Sequence, residues 1–182
     1  MKLPTLPYLR AALAAAIATL PLLASATTYT FTQTGYEDGA FISGSFTGSD
    51  LDHDGQINSA FGEISNFTMY FSGNSIMPAF SHDPAETFDV VYTVGSHTLG
   101  TWGGKDKEGI MSNWGNPTGF DFATGMGPTG DKGGRIIHHD DLTVTFSDEL
   151  VQVSAVPEPS TAAMTLAGLG LLGLVAARRR RG

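Results

Sequence analysis

Cysteine is absent from the 182-residue chain, which excludes disulfides, thiolate metal sites, covalent haem attachment and cysteine nucleophiles together. Basic side chains are scarce as well. Between Thr27 and Ala155 only Lys105, Lys107, Lys132 and Arg135 face 17 carboxylates, a net charge of −13. The whole-chain value of −8 hides this, because Lys2, Arg10 and Arg178 to Arg181 sit at the ends. A surface this acidic repels phosphate backbones, which argues against nucleic acid as a partner and suits cations. No long Ala/Leu/Glu/Lys stretch favours a helix in the middle of the chain. There is no G-x-S-x-G elbow and no Ser, His and Asp set at a meaningful spacing. With so many carboxylates, any pair chosen for glycoside hydrolysis is a chance pair. No internal repeat is evident, which disfavours a solenoid.

What is present at the N-terminus has the order of a secretory signal. Lys2 and Arg10 precede an apolar run from Ala11 to Leu23, and Ala24-Ser25-Ala26 offers a small-residue cleavage site. Residues 1–26 are therefore expected to be a signal peptide, engaging the Sec translocon and signal peptidase. At the other end, Val156-Pro157-Glu158-Pro159-Ser160-Thr161 leads into an uncharged stretch from Ala162 to Ala177 and then Arg178-Arg179-Arg180-Arg181. Ser160 to Ala177 would span about 27 Å as a helix, just enough for a hydrocarbon core of about 30 Å. One C-terminal transmembrane helix is thus expected, with the four arginines as a stop that stays in the cytoplasm. The prolines keep the preceding segment extended, a form a processing enzyme can read.

Pro157, Glu158 and Pro159, followed by a short apolar stretch and a basic cluster, resemble the PEP-CTERM sorting signal. The resemblance covers residues 156–182 alone. It implies an exosortase-type processing enzyme as partner, cleavage near the motif, and release or transfer to the cell envelope or extracellular matrix. An uncut membrane anchor is the plainer alternative.

Period-two alternation marks the middle. Tyr29 and Phe31; Ile42, Gly44 and Phe46; Phe67, Met69 and Phe71; Phe88, Val90, Tyr92 and Val94; and Leu142, Val144 and Phe146 each share a strand face. Glycine-rich turns separate them, which predicts an all-β domain over 27–155: an antiparallel, jelly-roll-like β-sandwich of about eight strands. Alternation weakens between Thr101 and Gly134, where long loops holding Trp102 and Trp114 are expected. Core packing is the commoner fate of a tryptophan, and stacking on sugar rings the alternative.

Asp50-Leu51-Asp52-His53-Asp54-Gly55-Gln56-Ile57-Asn58 is the best metal candidate. Carboxylates at alternate positions converge when the chain curls, Gly55 permits the sharp turn, and the Gln56 carbonyl can face an ion, as in the first half of an EF-hand loop. Phe61 stands where a bidentate Glu is expected, and Glu63 lies two residues beyond. Asp50, Asp52, Asp54, Gln56, Asn58 and Glu63 are the expected ligands of a structural Ca²⁺, against a plain solvated Asp/Gly turn. His138-His139-Asp140-Asp141 has residue types of a transition-metal site, but neighbours in a strand face opposite ways, so both histidines cannot share one ion. His82 and His97 stand alone, and Asn66-Phe67-Thr68 lies inside a predicted strand with no assigned role.

These features predict a non-enzymatic, exported protein. It is held at the inner membrane as a precursor with its domain outside the cytoplasm, then delivered to the cell surface or extracellular matrix. Two alternatives follow from the same residues. A carbohydrate-binding module in extracellular polysaccharide would need Trp102 and Trp114 exposed on one surface. A secreted hydrolase would need a cleft with convergent acids, or a metal at His138 or His139.

Overall fold

A computed structural model describes residues 26–99, 108–125, 133–157 and 168–170. Among the described residues twelve strands carry the fold, where about eight were expected: β1 (Thr27–Gln33), β2 (Ile42–Gly48), β3 (Gln56–Asn58), β4 (Ile64–Phe71), β5 (Phe80–His82), β6 (Phe88–Thr93), β7 (Thr98–Leu99), β8 (Gly109–Ser112), β9 (Phe120–Thr124), β10 (Gly134–His138), β11 (Thr143–Ser147) and β12 (Val151–Ala155). They form two six-stranded antiparallel sheets, ordered β5-β4-β2-β1-β12-β7 and β11-β10-β9-β8-β6-β3. The first and last strands pair side by side, with Tyr29 opposite Ala155.

Aromatic side chains from the inner faces join the sheets. Tyr29 and Phe46 of the first sheet meet Tyr92 of the second at ring-centroid distances of 4.8 and 5.5 Å. Phe67 stacks on Phe88 at 4.9 Å, and Phe80 on Phe120 at 4.4 Å. Such pairs add about 0.5–1.5 kcal/mol each beyond the area they bury, so this seam ties the sandwich together.

Two sequence expectations need correction. The stretch from Thr101 to Gly134 contains β8 and β9 as well as loops. Asp121, Phe122, Ala123 and Thr124 of β9 are all buried, on both faces of the strand, so the strand has no solvent-facing polar row to mark it in the sequence. In β11 the faces are reversed. Thr145 and Ser147 point inward, while Leu142 is 74 % exposed and Phe146 is 40 % exposed. Leu142 occupies a left-handed turn (φ 59°) before the strand begins. The inward hydroxyls are satisfied, Thr145 Oγ1 by Asn74 Nδ2 and Ser147 Oγ by the Thr34 carbonyl, so this edge strand meets polar partners where apolar ones were expected. The predicted signal peptide falls almost wholly outside the described residues, as do Trp102, Glu158, Pro159 and Arg178 to Arg181. Among the described residues no helix is long and apolar enough to cross a membrane. The predicted spanning segment lies outside them except for 168–170, which are helical.

Candidate functional site: an aspartate loop closed by a buried glutamate

β2 belongs to the first sheet and β3 to the second, so the aspartate loop crosses from one to the other. It turns on itself through its own side chains. Asp50 accepts from the N–H groups of Asp54 (3.1 Å) and Gly55 (2.9 Å), Asp52 from Asp54 (3.2 Å), and Asp54 from Gln56 (2.7 Å). Left-handed conformations at His53 (φ 63°) and Gly55 (φ 90°) make the tight curl possible. After β3, a 3₁₀ turn over Ser59–Phe61 is capped by Asn58, whose Oδ1 accepts from the Ala60 N–H at 2.9 Å. Gly62, with φ 75°, then aims the chain into β4 and brings Glu63 back under the loop.

Glu63 is 4 % exposed and acts as the loop's brace. One carboxylate oxygen accepts from the Leu51 N–H at 2.7 Å and the Asp52 N–H at 3.4 Å, and the other from the Asn58 N–H at 2.9 Å. Carboxylate oxygens of Asp50, Asp52 and Glu63 lie within 4.8 Å of one another, with Asp50 half-buried and Asp52 exposed. Asp54 is not part of this triad, and the Asn58 side-chain oxygen is engaged in its cap. Three carboxylates at this spacing repel one another unless a cation or backbone donors stand between them, and oxygen ligands of this type suit a hard cation.

The histidine cluster divides among several partners. His138 ends β10, stacks on Phe120 at 4.3 Å, and uses Nε2 toward Asp140 (3.3 Å) and Nδ1 toward Asp141 (2.9 Å). His139 turns to buried Asp121 at 3.0 Å. Hydrogen bonds from Thr143 hold the Asp141 carboxyl below its usual range. His138 thus addresses its two carboxylates through opposite ring nitrogens, and no single centre gathers the four residues. His82, which the sequence offered no reason to single out, is buried with Nδ1 2.7 Å from Ser112 Oγ. Burial pushes its pKa below 6.5, outweighing Glu86, the Phe120 carbonyl, Asp121 and Asp83, which all act to raise it. The unfolded chain therefore takes up this proton first, so the stability contributed by neutral His82 is complete above about pH 6.5 and is lost as pH falls through the folded pKa. Thermal melting from pH 7 to 5 is expected to fall more steeply for the wild type than for His82→Gln.

Trp114 departs from the expected core position. It is 46 % exposed, on the β8–β9 connection, with the Arg135 guanidinium carbon 5.4 Å from its ring centroid. A small cleft of about 200 Å³ opens beside it, lined by Thr87, Phe88, Asp89 and Met111. Among the described residues Asp89 is the one carboxylate lining it.

Fold and site together define an acidic two-sheet β-protein with a carboxylate-braced loop joining its sheets. Residues 155–181 match the family model described as the PEP-CTERM protein-sorting motif, so the chain carries that motif where its Pro-Glu-Pro resemblance placed it. No curated protein and no solved structure matches the chain.

Proposed function

We propose that this chain is an exosortase substrate, an exported β-sandwich protein delivered to the cell envelope or extracellular matrix, with a Ca²⁺ that staples its aspartate loop and no catalytic role. The matched sorting motif is the observation that carries the reading, and it supports an exosortase-type partner acting at Pro157, Glu158 and Pro159. The signal-like N-terminus and the Arg178 to Arg181 tail agree with a membrane-held precursor whose domain lies outside the cytoplasm. Intact mass of the protein from cells with and without the sorting enzyme tests this. Loss of the C-terminal segment only when the enzyme is present is the expected result, and an identical C-terminus in both strains would refute it.

The proximity of the Asp50, Asp52 and Glu63 carboxylates supports the Ca²⁺ assignment. Such a site, with few protein ligands on an exposed loop, belongs in the weak extracellular range of about 10⁻⁴–10⁻³ M. Calcium at about 5 mM is then expected to add about 1–2 kcal/mol relative to chelator, read as a rise in melting temperature that Asp50→Ala abolishes.

A further inference from the structure

The exposed indole of Trp114 rests on a built platform. Asn113 adopts a left-handed conformation (φ 56°), donates its N–H to the Thr87 carbonyl and its Nδ2 to the Phe120 carbonyl (2.7 Å). Asn116 donates Nδ2 to Asn113 Oδ1 at 3.0 Å and accepts from the N–H and hydroxyl of Thr118. The connection that carries this half-exposed ring is therefore cross-tied. Arg135 lies against the ring through the contact described above.

The cleft beside this platform is amphipathic. Trp114, Phe88 and Met111 give it apolar walls, and Thr87 and Asp89 add a hydroxyl and a carboxylate. Asp89 is exposed and receives the Ser59 hydroxyl on one oxygen. A pyranose has the matching pattern, with an apolar C–H face for an indole and equatorial hydroxyls for polar groups at its edge. At about 200 Å³ the cleft falls below the roughly 300 Å³ where pockets for larger organic ligands begin, and so suits one ring.

Charge selects among sugars and against other aromatic-binding ligands. Asp89 in the cleft offsets the Arg135 guanidinium beside it, and a net charge of −13 over 27–155 then disfavours uronates and sulfated sugars. A cationic ligand would have to share the indole with the guanidinium already against it, which repels a second positive charge. We infer that the cleft formed by Trp114, Asp89, Thr87 and Met111 binds a single ring of an uncharged polysaccharide. The site shares no residue with the aspartate loop and needs no metal.

Calorimetric titration of the full chain, in chelator, tests the inference with neutral hexasaccharides of β-1,4-linked glucose, xylose and mannose. Hexagalacturonate and choline serve as charged counterparts. At least one neutral hexasaccharide is expected to bind, with affinity reduced about tenfold or more by Trp114→Ala, since the loss of ring stacking and its buried area removes over 1.4 kcal/mol. Trp114→Phe should retain part of the binding and Asp89→Asn should weaken it several-fold, with melting temperatures unchanged in all three variants. Absence of binding to every neutral saccharide, equal affinity in Trp114→Ala, or preference for hexagalacturonate or choline would each overturn it.

Discussion

Glu63→Ala is expected to lower stability by about 2 kcal/mol even in the presence of chelator, because it removes the buried acceptor shared by several part-buried backbone bonds whether or not a metal binds. In the native loop the carboxylate takes the N–H groups of Leu51 and Asn58 at 2.7 and 2.9 Å, with Asp52 as a longer third contact. A hydrogen bond to a charged group contributes roughly 1.5–3 kcal/mol at most and less where water can replace it, and Leu51 and Asn58 stand at the two ends of the loop, so one local shift cannot rescue both. For a domain of this size the loss corresponds to about 7 °C in melting temperature. Glu63→Gln separates the roles of brace and ligand. Its carbonyl can keep one of these bonds, but its amide would point a donor at a donor, so an intermediate loss is expected without calcium. Both variants should also lose any calcium-dependent rise. If Glu63→Ala melts like the wild type in chelator, the brace assignment fails; if a calcium-dependent rise survives in it, the ligand assignment fails.

The second large effect is expected at Gly44, where Gly44→Ala should cost about 3 kcal/mol and lower the yield of folded protein. Gly44 faces Phe31 on β1 and Met69 on β4, within the inward row that also holds Ile42 and Phe46. The missing side chain leaves room for the Phe31 ring, which stacks on Phe67 at 6.1 Å from across the intervening strand β2. A Cβ at this position would overlap both the Phe31 ring and the Thr68 carbonyl oxygen. The ring could move only by giving up its stack, and the carbonyl belongs to the backbone of paired strand β4, so neither neighbour yields cheaply. Gly39→Ala is the control, since a Cβ there meets nothing within 4 Å. Its left-handed backbone (φ 72°) should produce a smaller loss of about 1 kcal/mol. Chemical denaturation of both variants measures the difference, and equal losses would show that the cost at Gly44 is not steric.

Strand positions were legible wherever one face of a strand meets solvent or only the rim of the core. β1, β2, β4 and β6 announce themselves by alternation, because Tyr29, Phe31, Phe46, Phe67, Met69 and Val90 face the core while their neighbours do not. β9 was missed because burial on both faces erases that period, and β11 was found with its faces exchanged because hydroxyls can line an inward edge when partners such as Asn74 await them. The aspartate loop was legible from local chemistry, since the turn-forming aspartates and Gly55 act within a few residues of one another. Glu63 entered that reading only as a carboxylate standing beyond the usual ligand position, and its role as brace depends on the left-handed turn at Gly62 returning the chain beneath Leu51. The loop holding Trp114 was expected from the sequence, but its neighbours Arg135 and Asp89 were not. Arg135 and Asp89 come from strands 46 residues apart in number, brought to one sheet by the pairing of β6, β8, β9 and β10. The sequence by itself determined the acidic charge, the absence of thiol chemistry and the sorting motif, because composition and short contiguous motifs need no fold to exist. Only the tertiary structure decided which strands share a sheet, which tryptophan face stays open and which carboxylates converge, because each of these depends on contacts between residues far apart along the chain.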